Sequence, residues 1–171
     1  MATHKSLVLV GMMGTGKSTI GRLVAKKLKI DFIDTDLLIE NEANLTIKNI
    51  FEEFGEKYFR KLEEKEFLKI KYDKPKIISL GGGAFINPII RNKIIGHNIS
   101  IWLNADEKKI LERVTLNLKK RPIIDEKNPI KTIKELKKER DPIYQLADFE
   151  INCNLRREKI IEKIVEIYEK D

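Results

Sequence analysis

An α/β fold on a parallel sheet is what this 171-residue chain predicts. Three observations carry the prediction. Five short apolar runs alternate with longer segments of helical periodicity, the first run opens into a glycine-rich loop followed by a helix, and the last segment has one clean apolar stripe.

Leu7 to Val10 is short enough for a buried strand. It leads into Gly11-Met12-Met13-Gly14-Thr15-Gly16-Lys17-Ser18, the spacing of a phosphate-binding P-loop, after which Ile20, Leu23, Val24 and Leu28 recur at helical spacing. Phe32-Ile33 reads as a second strand and Ile77 to Leu80 as a third, which Gly81-Gly82-Gly83 follows. Ile99 to Leu103 is the fourth. Asn128-Pro129 is a helix start with Ile130, Ile133 and Leu136 behind it, and Pro142 is expected to end or kink that helix. Phe149 to Ile151 is the fifth strand, and Ile160, Ile161, Ile164, Val165 and Tyr168 form the stripe of a final helix. Between Lys119 and Asn128 lies a polar, proline-containing stretch without periodicity, a candidate mobile lid.

The length fits a single domain, residues 1–171, so substrate-holding parts must be insertions between strands. No apolar stretch approaches the ~20 residues of a membrane span, and Met1 to Lys5 lacks the apolar core of a signal peptide, so a cytoplasmic protein without membrane contact is expected. The one cysteine, Cys153, excludes an internal disulfide and reads as a small residue of a half-buried strand. A net charge of +7 raises the question of nucleic acid. Lysines interleave with glutamates, as in Glu63 to Lys69 and Lys134 to Arg140, the pattern of solvated helix faces, so no nucleic-acid partner is expected. The surplus suits a polyanionic nucleotide and an acidic substrate. Only 8 of the 34 basic residues are arginine, which singles out each guanidinium as a fork for carboxylate or phosphate.

In the P-loop the glycines let backbone N–H groups face phosphate, and the helix that follows adds unpaired N–H groups and the positive end of its dipole. Lys17 is expected to reach the β- and γ-phosphates and Ser18 to ligate magnesium. Asp34 and Asp36 end the second strand, and extended chain would point both carboxylates to one side. One could hold the water shell of magnesium and the other an acceptor hydroxyl; an Asx turn or a helix N-cap at Asp36 is the structural alternative. Gly81, Gly82 and Gly83 suggest close approach of backbone to a ligand or a sharp turn. No acid ends the third strand where a Walker B aspartate would stand, which shifts metal holding to Asp34.

The chain resembles shikimate kinases through an ordered set of motifs. They are Gly11 to Ser18 with Thr19-Ile20-Gly21-Arg22, Asp34-Thr35-Asp36, Phe59-Arg60, Ser79-Leu80-Gly81-Gly82-Gly83-Ala84, Lys120-Arg121-Pro122, and Arg140-Asp141-Pro142-Ile143-Tyr144 with Ala147-Asp148. The resemblance implies a single-domain P-loop kinase of the nucleoside-monophosphate-kinase type: five parallel strands flanked by helices, a substrate-binding insertion at about 35–62 and an ATP lid at about 119–128. It implies ATP-dependent phosphorylation of the 3-hydroxyl of shikimate, with Mg2+ as cofactor, in a monomer. Lys17, Asp36 and Arg121 take the catalytic roles by resemblance. Gly14, Thr15, Gly16, Lys17, Ser18, Thr19 and Arg121 face ATP, and Ser18 and Asp34 serve the metal. Asp36, Arg60, Gly81, Gly82, Gly83 and Arg140 meet the substrate. The family's adenine-side arginine falls at Val114 by spacing, so that role passes to neighbouring Arg113. Arg156 is a second adenine candidate, with a helix-start charge as the equal alternative.

Two rivals use the same loop. A kinase of another small hydroxy acid such as gluconate would also want paired arginines, though not the full motif set. A GTP switch needs an Asn-Lys-x-Asp guanine reader, yet Asn92-Lys93 runs into Ile94-Ile95. A nucleic-acid-bound ATPase would need a basic stripe or stacking platform, and with only 12 aromatic residues several must serve the core.

Overall fold

The computed structural model describes residues 5–170. Residues 1–4, most of the N-terminal stretch read above for a signal core, lie outside it. Among the described residues five strands form one sheet, every pairing parallel, in the order β2-β3-β1-β4-β5. The strands are β1 (Leu7–Val10), β2 (Asp31–Asp34), β3 (Lys76–Ser79), β4 (Ile99–Asn104) and β5 (Phe149–Asn152). The central strand β1 is wholly buried, as its uninterrupted apolar run requires when both faces are covered.

Around the sheet lie α1 (Lys17–Leu28), α2 (Thr35–Ala43), α3 (Ile47–Leu68), α4 (Pro88–Ile94), α5 (Glu107–Thr115), α6 (Pro129–Tyr144) and α7 (Arg157–Lys170). Short 3-10 turns sit at Ala84–Ile86 and Leu118–Lys120. Helix α1 packs on α7 and α5 on α6. The chain leaves β3 on one side of β1 and enters β4 on the other, and such a switch point, at the carboxyl ends of the strands, is where α/β sheets bind ligands. No helix among the described residues is long and apolar enough to cross a membrane.

The main core spans all five strands, and a second cluster of Ile39, Ile50, Phe59 and Leu62 holds α2 and α3 to each other. That satellite core makes the stretch between β2 and β3 a packed unit in its own right. Helix α3 is broken at Gly55 (φ 79°, ψ 170°), a conformation open essentially to glycine alone.

Several sequence expectations are corrected. In α1 the buried face runs through Ile20, Gly21, Val24 and Ala25, while Leu23 is exposed, because Gly21 lets the helix approach Phe32: a Cβ there would lie 2.6 Å from the ring. Helix α6 does not end at Pro142 but runs to Tyr144. Proline falls in its last turn, and the flanking Arg140 and Tyr144 are both buried and hold the turn in place. Asp36 is not extended: α2 begins at Thr35, the N-cap is Asp34, and its carboxylate accepts from the Asp36 N–H at 3.1 Å. Cys153 lies one residue past β5 and is fully buried. Glu63, Glu66 and Arg140, read within solvated faces, are all buried.

Candidate active site

Three P-loop glycines adopt positive φ, at Gly11 (135°), Gly14 (77°) and Gly16 (94°). At Gly11 the close approach also matters, since a Cβ would sit 2.6 Å from the Leu103 carbonyl oxygen. The loop is braced by Thr15 Oγ1 donating to Met12 O (2.8 Å) and by Arg113 Nη1 donating to Gly14 O (2.9 Å). Lys17 Nζ donates to Gly11 O (2.7 Å) and Met12 O (2.8 Å). Helices α2, α3, α5 and α6 each have a side-chain cap from Asp34, Thr46, Asp106 and Asn128, whereas α1 has none and no acid in its first turn. Its first N–H groups and its dipole therefore face the loop uncompensated, which suits phosphate.

Two cavities adjoin at this end of the sheet. The larger, about 310 Å³, is walled by the P-loop, Ser18, Thr19, Arg113, Leu155 and Arg157. The smaller, about 80 Å³, lies between the α3 residues Ile47, Phe51, Phe59, Arg60 and Glu63, the glycine loop, Arg140, and Lys120 to Ile123. Met13, Asp36, Gly82 and Arg121 stand in the wall of both.

Charge is concentrated at that shared wall. Burial, with the Asp34 charge adding to it, pushes Asp36 up to about 6, while Lys17 and Arg121 oppose the rise. Burial lowers Lys17 to about 8 against the pull of Asp36. In the smaller cavity burial raises Glu63 despite Arg60, whose Nη1 donates to Glu63 Oε2 at 2.9 Å. Burial works against the charge on Arg60 as well, but Glu63 and Glu56 outweigh it and hold the guanidinium above its usual range. Arg60 lies flat on Gly83, where any Cβ would collide with it. Arg140 Nε and Nη1 and Glu63 Oε1 are buried without partners. Free guanidinium donors beside a free carboxylate acceptor match a ligand with both an anionic group and hydroxyls.

The structure thus gathers Lys17, Ser18, Asp36, Arg60, Gly82, Gly83, Arg121 and Arg140 around one pair of cavities, with Arg113 against the P-loop; Asp34 and Gly81 line neither cavity and stand against Asp36. Leu155 and Arg157 line the larger cavity; Arg156 does not. At a helix start a one-residue difference turns a side chain by about 100°, which sequence spacing could not resolve. Glu63 went unrecognised because it looked like one of many exposed glutamates, although its place three residues after Arg60 was a usable signal. The candidate lid is less free than its composition suggests. Ile124 is buried in the main core, and turns close from Ile124 N to Arg121 O (3.0 Å) and from Asn128 N to Asp125 O (3.2 Å).

Among the described residues no three potential metal-ligating side chains cluster. Ser18 Oγ lies 3.4 Å from Ser79 Oγ, and Asp34 has one carboxylate oxygen engaged by its capping bond. A hydroxyl with one nearby acid fits an ion such as magnesium that keeps most of its waters, and would not fit an all-protein cage.

The family model described as shikimate kinase matches residues 13–169. A shikimate kinase of Caldanaerobacter subterraneus subsp. tengcongensis is 39% identical over 165 residues, covering 96% of this chain and 96% of its own length. The solved structure of a shikimate kinase from Acinetobacter baumannii in complex with shikimate superposes with a TM-score of 0.92 at 32% identity, over 98% of this chain and 94% of that one. A gluconokinase from Sinorhizobium meliloti superposes with a TM-score of 0.61 at 16% identity over 99% and 94%, a likeness of fold alone.

Proposed function

The chain belongs to the shikimate kinase family, whose reaction moves the γ-phosphoryl group of ATP to shikimate, and we propose how its own residues divide that work. The observation that carries the reading is the shared wall, in which Asp36, Arg121, Met13 and Gly82 border both cavities. A group passed from one cavity to the other must cross there.

ATP lies in the larger cavity with its phosphates over the P-loop and the uncapped start of α1, against Gly14, Thr15, Gly16, Ser18 and Thr19. Lys17 exchanges the Gly11 and Met12 carbonyls for the β- and γ-phosphates. Arg113 and Arg157 border the adenine side. Shikimate lies in the smaller cavity with its carboxylate on Arg140 and Arg60 and its hydroxyls toward Asp36 and the glycine loop. The 3-hydroxyl oxygen attacks the γ-phosphorus in line as the bond to the ADP oxygen breaks, and Asp36 takes the hydroxyl proton late in the step. Lys17 and Arg121 face the negative charge spread over the transferring group. Ser18 would ligate magnesium and Asp34 would hold it through water, and the ion would offset phosphate charge when bound.

The stretch 35–62 is the acceptor-binding insertion, supported by its satellite core and its place in the cavity wall. Residues 119–128 are the lid that brings Arg121 over the phosphates and excludes water. The protein works as a cytoplasmic monomer, without a nucleic-acid or membrane partner.

A coupled ADP-release assay with ATP and magnesium, comparing shikimate, gluconate, quinate and no acceptor, tests the reading. Release that depends on shikimate is expected. Equal release with gluconate, or release that needs no acceptor, would mean the smaller cavity is misread.

A further inference from the structure

We infer that Tyr144 is a positioning residue for the acceptor site: its hydroxyl fixes the glycine loop and backs Arg140 at the same time. This rests on the smaller cavity being the acceptor site. Tyr144 belongs to a motif that marked the sequence but had no task assigned in it. It lies in the last turn of α6, fully buried, its ring against Trp102 with centroids 6.0 Å apart. Its hydroxyl donates to the Gly82 carbonyl. Arg140 lies one helical turn earlier on the same face, and its Nη1 lies 3.7 Å from where a Cβ on Gly82 would stand, beside the carbonyl that Tyr144 holds.

The polar atoms of the loop show what the tyrosine does. Gly81 N donates to Thr35 Oγ1 (2.9 Å), Gly81 O accepts from Ala84 N (3.1 Å), and Gly83 O accepts from Ile86 N (3.1 Å). With Gly82 O held by Tyr144, the N–H groups of Gly82 and Gly83 are the loop donors left without a partner among the described residues. A peptide unit is planar and trans, so anchoring the Gly82 carbonyl toward the core turns the Gly83 N–H the opposite way. Between glycines nothing else would stop that peptide from flipping. Thr35 secures the preceding side, since its Oγ1 also donates to Ser79 O (3.3 Å). Burial pushes the Tyr144 hydroxyl up to about 12, so it keeps its proton and remains a donor throughout the working pH range. One side chain thereby sets the Gly83 N–H and stands behind the guanidinium that faces the acceptor, while the bond from Ala84 N to Gly81 O sets the Gly82 N–H.

The test is Tyr144→Phe in the full chain, with shikimate and ATP varied separately. KM for shikimate should rise about 5- to 20-fold, the effect of one lost hydrogen bond to a group left unsatisfied, with KM for ATP within about twofold. Ile133→Val, a packing change on the same helix, should lower stability without separating the two constants. An unchanged KM for shikimate, or both constants moving together, would overturn the proposal. Should Tyr144→Phe not fold, wild-type protein labelled with ¹⁵N-glycine decides. Single sharp Gly82 and Gly83 amide resonances that move on adding shikimate are required, and doubled or exchange-broadened ones would overturn it. A wild-type enzyme with no shikimate-dependent turnover would instead refute the acceptor-site reading, and is seen in the same assay.

Discussion

Asp36 and Lys17 face each other across the junction of the two cavities, each held away from its ordinary ionisation by burial. Because Asp36 is raised to about 6, kcat/KM for shikimate should fall below an apparent pKa near that value as the acceptor of the hydroxyl proton is lost. Asp36→Asn should lower turnover and erase the limb, and an acid limb unchanged in that variant would remove Asp36 from the proton's path. For stability the sign runs the other way. Between about pH 4 and 6 the native state holds a proton that the unfolded chain has released, so the Asp36 contribution is present at low pH and lost as pH rises through 6. Lys17, lowered to about 8, is penalised as a cation at neutral pH, on the order of 2–3 kcal/mol, and the penalty fades as pH rises from about 8 toward 10.5. Lys17→Met should abolish turnover yet raise the thermal midpoint of the ligand-free protein by about 2–4 °C, since two P-loop carbonyls lose their donor and return part of the gain. A lower midpoint would mean those hydrogen bonds outweigh the burial of the charge.

At the scale of an element, α3 is the unusual member. It is two helices joined by a kink at Gly55, and both line the smaller cavity, the first through Ile47 and Phe51 and the second through Phe59, Arg60 and Glu63, with the Phe51 and Phe59 rings in contact. Nothing approaches the missing Cβ, so the requirement for glycine is conformational and not steric. Gly55→Ala should cost about 1–3 kcal/mol of stability and raise KM for shikimate while leaving KM for ATP nearly unchanged. Urea unfolding and separate titration of the two substrates would read both effects; normal stability with a normal KM would show that the bend is not needed. The same element explains what the sequence hid. Spacing and composition located the P-loop because a phosphate cradle is built from consecutive residues, and they located the strands because each is an unbroken apolar run. Glu63 and Arg140 owe their burial to partners far along the chain, and Ile124 anchors the supposed lid through the same long-range packing. Hydropathy patterning does not separate these residues from their exposed neighbours; only the Arg140 motif and the spacing of Glu63 from Arg60 mark two of them out.

For the molecule as a whole, the parallel sheet gathers the P-loop and the glycine loop at one end, and the chain that carries this site has a net charge of +7. Steering by that charge predicts that kcat/KM for shikimate falls severalfold between about 0.05 and 0.3 M salt while kcat changes little. A flat profile would mean that the lysines act only as solvated surface. The five parallel strands and the motif residues were legible from the chain, whereas the strand order β2-β3-β1-β4-β5 was not. The division of the site into two cavities with a common wall was not, because it arises where α2, the P-loop, the glycine loop and the segment around Arg121 converge.

Cys153 is the sole thiol of the sequence and is wholly shielded beside the end of β5, with burial pushing it up to about 11. A soluble alkylating reagent can reach it only when the fold opens, so the chain carries its own clock for unfolding. The rate at which mass is added at that single sulfur counts openings, and ATP or shikimate should each slow the count by the factor its binding stabilises the closed state, with no engineered label required.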